Sequence, residues 1–308
     1  MKTPHASPPR TQYYAAFAAI YLFWGATFLA IRYIVAEVPP LLTVAIRCAL
    51  GAVILFGWMA FRRQLSAPTA AQWRTAILAG LFLFLGCHAL LAWAEQRVSS
   101  GQAALFSTSI PLWMLLLEAM RRRRPPSALA LLGVALGTTG VAVLAGGGAL
   151  HAGTTTDRAL LIASAFAWAA GSLIGRHGAR PEAAAMSTAM QLAAGAGWVL
   201  LASVLRGELT HWSIAQVTPR TVVAMLFLVV CGTVLAFGAY TWLLRVASPA
   251  LVSTYAFVNP MVALTLGWLV GDDRITVRIV IATALVIAAV ALTTLATARE
   301  AREQQEQP

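Results

Sequence analysis

Long apolar runs separated by short polar breaks dominate the chain. Ten such runs can be read, at about 13–35, 40–61, 73–93, 99–120, 127–146, 158–177, 185–205, 220–243, 250–270 and 276–297. Each is close to the roughly 20 residues that an α-helix needs to cross a hydrocarbon layer about 30 Å thick. The breaks carry helix-ending residues: Pro39-Pro40, Pro125-Pro126 and Gly146-Gly147-Gly148. The pattern predicts an all-α integral membrane protein of ten transmembrane helices. The first run is too long for the apolar core of a cleavable signal peptide, and no such peptide is expected.

Composition agrees with a bilayer as solvent. Hydrophobic residues make up 59% of the 308 residues and charged residues 11%, where soluble domains carry about 25% charged. The net charge of +11 first suggests nucleic acid, but its placement does not. Basic residues sit in short clusters between apolar runs, as in Arg62-Arg63 and Arg121 to Arg124. No polar domain exists to carry a nucleic-acid surface, so none is expected. The arginine run is expected to fix topology and touch anionic lipid. With the N-terminus in the cytoplasm, that side receives fourteen of the 22 Lys and Arg and the other side seven, Arg47 lying within a span. This bias predicts both termini inside, in a bacterial inner membrane.

The two halves share spacings. Trp24 and Arg32 are eight residues apart, as are Trp168 and Arg176. Trp93 to Pro111 and Trp242 to Pro260 share an 18-residue separation. These matches align helix 1 with 6, 3 with 8 and 4 with 9. Each half holds five helices, an odd number, so the second must enter the membrane from the opposite face. The expected organisation is a cytoplasmic tail (1–12), a five-helix repeat (13–146), a connecting loop (147–157), an inverted five-helix repeat (158–297) and a second cytoplasmic tail (298–308). Inverted repeats are common in secondary transporters, whose sites lie near mid-membrane between the halves.

Several motifs resemble one family. They are Tyr21-Leu22-Phe23-Trp24-Gly25-Ala26-Thr27-Phe28 with Arg32 after it, Arg47 in helix 2, the stretch from Ser253 to Pro260, and Gly267-Trp268-Leu269 near the end of helix 9. In order and spacing they resemble the drug/metabolite transporter superfamily in its EamA-type ten-helix form. Gly271-Asp272 stands where family members often have Gly-Glu, and the equivalent place in the first half is the Arg121 to Arg124 run. The resemblance implies a basket of helices around a central cavity lined by helices 1, 3, 4, 6, 8 and 9, with 5 and 10 peripheral. It also implies export of amino acids, aromatic ones included, or of related amphipathic metabolites; a multidrug or cationic-aromatic exporter is the alternative.

The candidate substrate contacts are His88, Trp24, Trp168, Tyr240, Tyr255, Phe84 and Phe106. His88 lies deep in helix 3 and shares a helical face with Phe84, Leu91 and Glu95. It reads either as an interhelical hydrogen bonder or as a cavity contact, because ionisable groups inside a membrane are functional by default. A neutral imidazole is the cheaper state there, which favours facilitated diffusion or weak proton coupling. Trp24 and Trp168 are too near mid-helix for interfacial anchors, which is the reading for Trp93. The aromatic set lines a pocket for flat ligands or simply packs the core. Pro111 and Pro260 read as kinks or hinges inside helices 4 and 9, with Asn259 placed to satisfy freed backbone groups. Arg47, at the start of helix 2, is expected to snorkel to the outer edge, and Gln191 is its repeat mate. Glu118 is expected to pair with the arginine run.

Cys48, Cys87 and Cys231 have no metal-ligand spacing and read as buried apolar thiols. No catalytic or nucleotide-binding motif is present, so neither an enzyme nor an ATP-driven pump is expected, and no cofactor or metal is called for. The expected partners are a small-molecule substrate and membrane lipid, and a monomer suffices for both. Reporter fusions after residue 308 and in the loop around Gly153 should report opposite sides of the membrane; finding both on one side would break the inverted repeat.

Overall fold

The structure is a computed structural model. It describes residues 9–95, 97–98, 100–145, 154–210, 212–270 and 277–306. The Gly146 to Gly148 run, Gly271-Asp272, Asp273 and most of the N-terminal tail lie outside these, as do the side chains of Arg32, Glu95 and the Gly267 to Leu269 segment.

Among the described residues there are helices and no strands. The elements are α1 (Arg10–Ile34), α2 (Pro40–Phe61), α3, α4 (Ser100–Ser107), α5 (Ile110–Arg122), α6 (Ala128–Ala145), α7 (Thr155–His177), α8 (Ala184–Leu205), α9, α10 (Pro249–Val252), α11 (Tyr255–Val270) and α12 (Val277–Glu306). Both α3 and α9 are composite. In α3, Ala70–Gly80 leads into a π-helical stretch, Leu81–Ala89, and then Leu90–Glu95. In α9, Pro219–Phe227 leads into a π-helical stretch, Leu228–Ala236, and then Phe237–Val246. Six helices are long and apolar enough to cross a membrane, α2, α3, α7, α8, α9 and α12, and α6 is a shorter apolar one. The apolar runs at 99–120 and 250–270 each prove to be two helices, α4–α5 and α10–α11.

Local sequence explains where helices begin and end. Thr69 and Thr154 open α3 and α7 with capping boxes closed by Gln72 and Asp157. Thr218 and Ser248 cap α9 and α10. Pro40, Pro219 and Pro249 stand in first turns, where a missing N–H costs nothing. The two basic clusters close α2 and α5, with Arg63 (φ 53°) and Arg123 (φ 54°) in the left-handed region and cations at the negative helix ends. On the opposite side, Glu37 after α1 accepts from Thr218 N (2.8 Å) and Oγ1 (3.0 Å). Those bonds hold its carboxyl below the usual carboxylate range.

A central cluster of buried residues draws on α1, α2, α3, α5, α7, α8, α9, α10 and α11. A second cluster joins α6 and α12 to α4, α5 and α11, through Leu105, Leu115, Val134, Phe257, Val286 and Ala289. The pair α6–α12 is thus set to the side of the central cluster, as the resemblance implies for the fifth and tenth spans. Lipid supplies no hydrophobic force between helices, so close backbone approach must do the work. Gly133 and Gly140 of α6 face Ala289 O and Ala282 O of α12 at 3.2 and 3.1 Å from where a Cβ would stand, and Gly137 meets the Phe257 ring. Large apolar side chains project from the other faces, among them Val53, Trp58, Phe61, Leu201, Leu205, Val223 and Leu226. In water such faces would aggregate; against lipid they are solvated.

Gly25 is where α1 meets α11. A Cβ there would stand 2.5 Å from Val262 Cβ and 3.3 Å from Asn259 O. By contrast a Cβ on Gly57 would meet nothing within 4 Å. Gly25→Ala should lower the thermal unfolding midpoint of the purified protein, an overpacking cost of about 1–3 kcal/mol. Gly57→Ala should leave it unchanged or raise it through better helix propensity. Equal behaviour of the two variants would show that the α1–α11 contact is not tight.

Candidate functional site at the seam between the halves

Six of the seven sequence-predicted contacts come together in one cluster. Trp24 of α1 lies 5.7 Å from Trp168 of α7, 5.2 Å from Tyr240 of α9 and 4.7 Å from Tyr255 of α11, centroid to centroid. Trp168 and Tyr240 are 5.5 Å apart, and Tyr240 and Tyr255 5.8 Å. On α3, Phe84 stacks on His88 at 5.7 Å, and the His88 ring stands 5.7 Å from Trp168. Phe237, which sequence reasoning missed, closes the cluster between Phe84 (5.3 Å) and Tyr240 (6.1 Å). Its signal was spacing: Phe237 is one helical turn from Tyr240, as Phe84 is from His88. Phe106 does not join. It packs beside Ala94, Val98, Ala103 and Leu161, away from the other rings.

The cluster sits on irregular backbone. A π-helical turn leaves carbonyls without their usual partners, and such turns are frequent at functional sites. Each of the two π-stretches has a carbonyl taken by a side chain five residues on: His88 Nδ1 donates to Leu83 O (2.8 Å) and Thr233 Oγ1 to Leu228 O (3.0 Å). The Trp24 indole donates to Gly232 O (2.9 Å), pinning α1 to the π-stretch of α9. Helix breaks accompany them, at Thr108-Ser109 and at Ser253-Thr254. There the hydroxyls back-bond to Leu105 O, Phe106 O, Ala250 O and Leu251 O. These landmarks recur 145 residues apart, whereas the Trp93–Trp242 and Pro111–Pro260 matches imply 149. The sequence register for these spans was therefore one helical turn out.

The proline reading changes accordingly. Pro111 is not inside a helix; it stands in the first turn of α5, just after the break. Pro260 is inside α11, where its ring frees the carbonyl of Ala256. Asn259 does not serve that carbonyl. In the amide orientation that satisfies it, its nitrogen donates to Tyr255 O and Tyr21 O, each at 3.2 Å. It thereby ties α11 to α1, as does the bond between the Tyr21 and Thr254 hydroxyls (2.7 Å).

Arg47 is the other correction. It does not reach outward; its Nη2 donates to His88 Nε2 at 2.7 Å. A guanidinium can only donate, so that ring nitrogen accepts and Nδ1 carries the proton it gives to Leu83 O. His88 is the neutral tautomer bridging Arg47 to the aromatic cluster. The available signal was that Arg47 stands deeper in an apolar run than any other Lys or Arg, and snorkelling was the wrong account of it.

Towards the end of the molecule that carries the arginine run, polar links join the helices. The Tyr240 hydroxyl is 2.6 Å from Ser172 Oγ. Arg176 donates to Leu244 O and Ala247 O, and Arg245 to Pro181 O and Glu182 O. Glu118 pairs with Arg121 and Arg122, as expected, and also with His177 of α7 at 2.8 Å. Trp168 and Tyr255 are each less than a tenth exposed and Tyr240 is fully buried. Beside them a cavity of about 10 Å³, lined by Leu83, Ser172, Gln191 and Tyr240 among others, is at the limit for one water. The rings of Trp168, Tyr240 and Tyr255 thus fill the space between them, while Trp24 and His88 stay partly exposed. Among the described residues no group of His, Cys, Asp and Glu is placed to hold a metal.

Comparisons with known proteins bear on the family and the fold. The profile of the EamA-like transporter family matches residues 12–146 and again 158–295. The inner membrane transporter YedA of Escherichia coli (strain K12) is 30% identical over 285 residues, covering 92% of this chain and 90% of YedA. The transporter YoaV of Bacillus subtilis (strain 168) is 22% identical over 283 residues, covering 91% and 96%. A solved structure, titled only as the crystal structure of a protein, shares the fold with a TM-score of 0.76 at 21% identity, covering 94% of this chain and 99% of its own. The chain belongs to the EamA-like transporter family of the drug/metabolite transporter superfamily, and is a membrane transporter of small molecules.

Proposed function

We propose that the protein carries small amphipathic metabolites, amino acids including aromatic ones, out of a bacterial cell by alternating access, without ATP. The observation that supports this most is the aromatic cluster itself. Its rings come from α1 and α3 in the first half and from α7, α9 and α11 in the second, so any motion of one half against the other must open or close it. Aromatic faces suit flat, partly apolar ligands. In this reading the ten apolar runs cross the inner membrane as two inverted five-helix repeats with both termini in the cytoplasm. The closed network of Glu118, His177, Arg176 and Arg245 then seals the cytoplasmic side. His88 acts as a neutral contact and not as a proton carrier, since its two nitrogens are committed to Arg47 and Leu83 O.

Export of cationic aromatic compounds is the second reading, favoured by the attraction of ring faces for cations. A flux panel separates the two. Purified protein in liposomes should move L-phenylalanine in a saturable manner without ATP, and faster than it moves phenethylamine. His88→Ala should reduce that flux with or without a pH gradient at unchanged protein level. Trp24→Ala and Tyr255→Ala should shift apparent affinity between L-phenylalanine and L-leucine by about tenfold, the scale of one lost aromatic contact. Loss of only the pH response in His88→Ala would make His88 the coupling group. No protein-dependent flux across a broad panel of amino acids would remove the metabolite reading.

A further inference from the structure

We propose that Arg47, held by His88, is a carboxylate-binding subsite at the edge of the aromatic cluster, so that the carried molecule bears a carboxylate beside its aromatic or apolar part. The proposal deepens the transport reading above and rests on it for the location of the site.

The argument is one of missing partners. The Arg47 guanidinium, partly exposed, spends one nitrogen on His88; beyond the neutral Cys48 thiol beside it, it has no further acceptor, and its Nε is buried without a well-aligned one. Because His88 accepts that bond, it is neutral, and the pair carries a full positive charge. Among the described residues no carboxylate forms an ion pair with Arg47. Four of the described carboxylates near the membrane are committed elsewhere, while Asp272 and Asp273 lie outside the described residues. Glu37 is held by Thr218, Glu118 by Arg121, Arg122 and His177, and Asp157 by Arg97. Glu208 accepts from Leu41 N, Leu42 N and Ser203 Oγ. The Glu95 side chain lies outside the described residues.

A cation among neutral partners in a low-dielectric interior is costly and asks for an anion. Arg158 and Arg245 also leave a buried nitrogen unpartnered, and like Arg47 they are partly exposed, but both stand in the end turns of their helices. Arg47 is two turns inside α2. A second under-satisfied donor lies close by: the buried Nε1 of Trp168 has no well-aligned hydrogen bond, the Tyr240 and Tyr255 hydroxyls being its near acceptors, and its ring is 5.7 Å from that of His88. Its repeat mate Trp24 does have an acceptor, Gly232 O. Two donors without a well-aligned acceptor, flanking one imidazole against an aromatic wall, suit an aromatic or branched apolar acid. A planar carboxylate fits the guanidinium edge, where a point cation or a neutral ligand gains nothing.

The repeat makes the asymmetry plain. At the position equivalent to Arg47 the second half has Gln191, which bonds only to Ser187 within its own helix (3.4 Å). The charge is therefore a feature of one half and not a structural element that both halves need.

The test uses purified full-length protein in detergent, in a low-chloride buffer free of carboxylates, with thermal stability as the readout of binding. Phenylacetate should raise the unfolding midpoint, and phenethylamine, the same ring with a cation in place of the acid, should not. Arg47→Gln should abolish the phenylacetate response. Arg47→Lys keeps the charge and guards against misfolding of the glutamine variant; it should weaken apparent affinity by about tenfold or more, since a charged hydrogen bond with fixed geometry is lost. A full shift produced by chloride alone, with no further response to phenylacetate, would mean a bound inorganic anion and overturn the proposal. So would equal responses to phenylacetate and phenethylamine, an unchanged Arg47→Lys, or no response of folded wild-type protein to phenylacetate, the result expected if Glu95 already neutralises Arg47. Failure of amino-acid flux alongside an intact Arg47-dependent phenylacetate response would instead count against the transport reading and leave the subsite standing.

Discussion

Inside a bilayer there is no water to satisfy a broken backbone, and this single constraint organises the structure. Each unsatisfied carbonyl in hydrocarbon costs several kcal/mol, so an irregular span survives only where a side chain plugs it. The two π-stretches and the two helix breaks are plugged in this way, by His88, Thr233, Trp24, Thr108, Ser109, Ser253 and Thr254. Irregular backbone therefore gathers at the seam, where protein and not lipid surrounds it.

Some of these plugs also bind the two halves together. Trp24 reaches from α1 to the π-stretch of α9, Tyr21 reaches from α1 to Thr254 at the α10–α11 break, and Asn259 reaches from α11 back to α1. Such bonds are exchangeable, unlike an interlocked apolar core, because a hydroxyl or indole released from one carbonyl can be met by water or by ligand once the seam opens. In the proposed transport cycle, the side chains that make the packed seam tolerable are the ones that would become available to a substrate. Arg47 is the exception, a group whose needs the packed seam does not meet. Its Nε is the strongest reason to expect a charged ligand and not merely a flat one.

Much of this was legible in the sequence, for physical reasons. Apolar runs of spanning length fix the class, because only helices or closed barrels satisfy the backbone in lipid. The Trp24 and Trp168 pair and the Phe84 and His88 pair could be placed deep in their helices from spacing, and the resemblance to the family implied that these helices, with those of Tyr240 and Tyr255, are inner ones. What failed were features that depend on backbone irregularity or on long-range pairing. The breaks at Thr108-Ser109 and Ser253-Thr254 leave Pro111 in the first turn of α5 but Pro260 inside α11, so the two prolines are not equivalent, and they place Phe106 on the short α4. Arg47 was read from its distance to the helix end, while its direction is set by His88, a partner 41 residues away. The His177 bond to Glu118 is hidden for the same reason.

The central claim is that the seam opens alternately to each side of the membrane. Ser172, beneath the rings and bonded to Tyr240, reports on it directly. With Cys48, Cys87 and Cys231 replaced, a Ser172→Cys variant can be challenged with a membrane-impermeant thiol reagent in right-side-out and in inside-out vesicles. The account predicts slow labelling from both faces, with L-phenylalanine changing the two rates in opposite directions. Labelling from one face only, whatever the ligand, would contradict it.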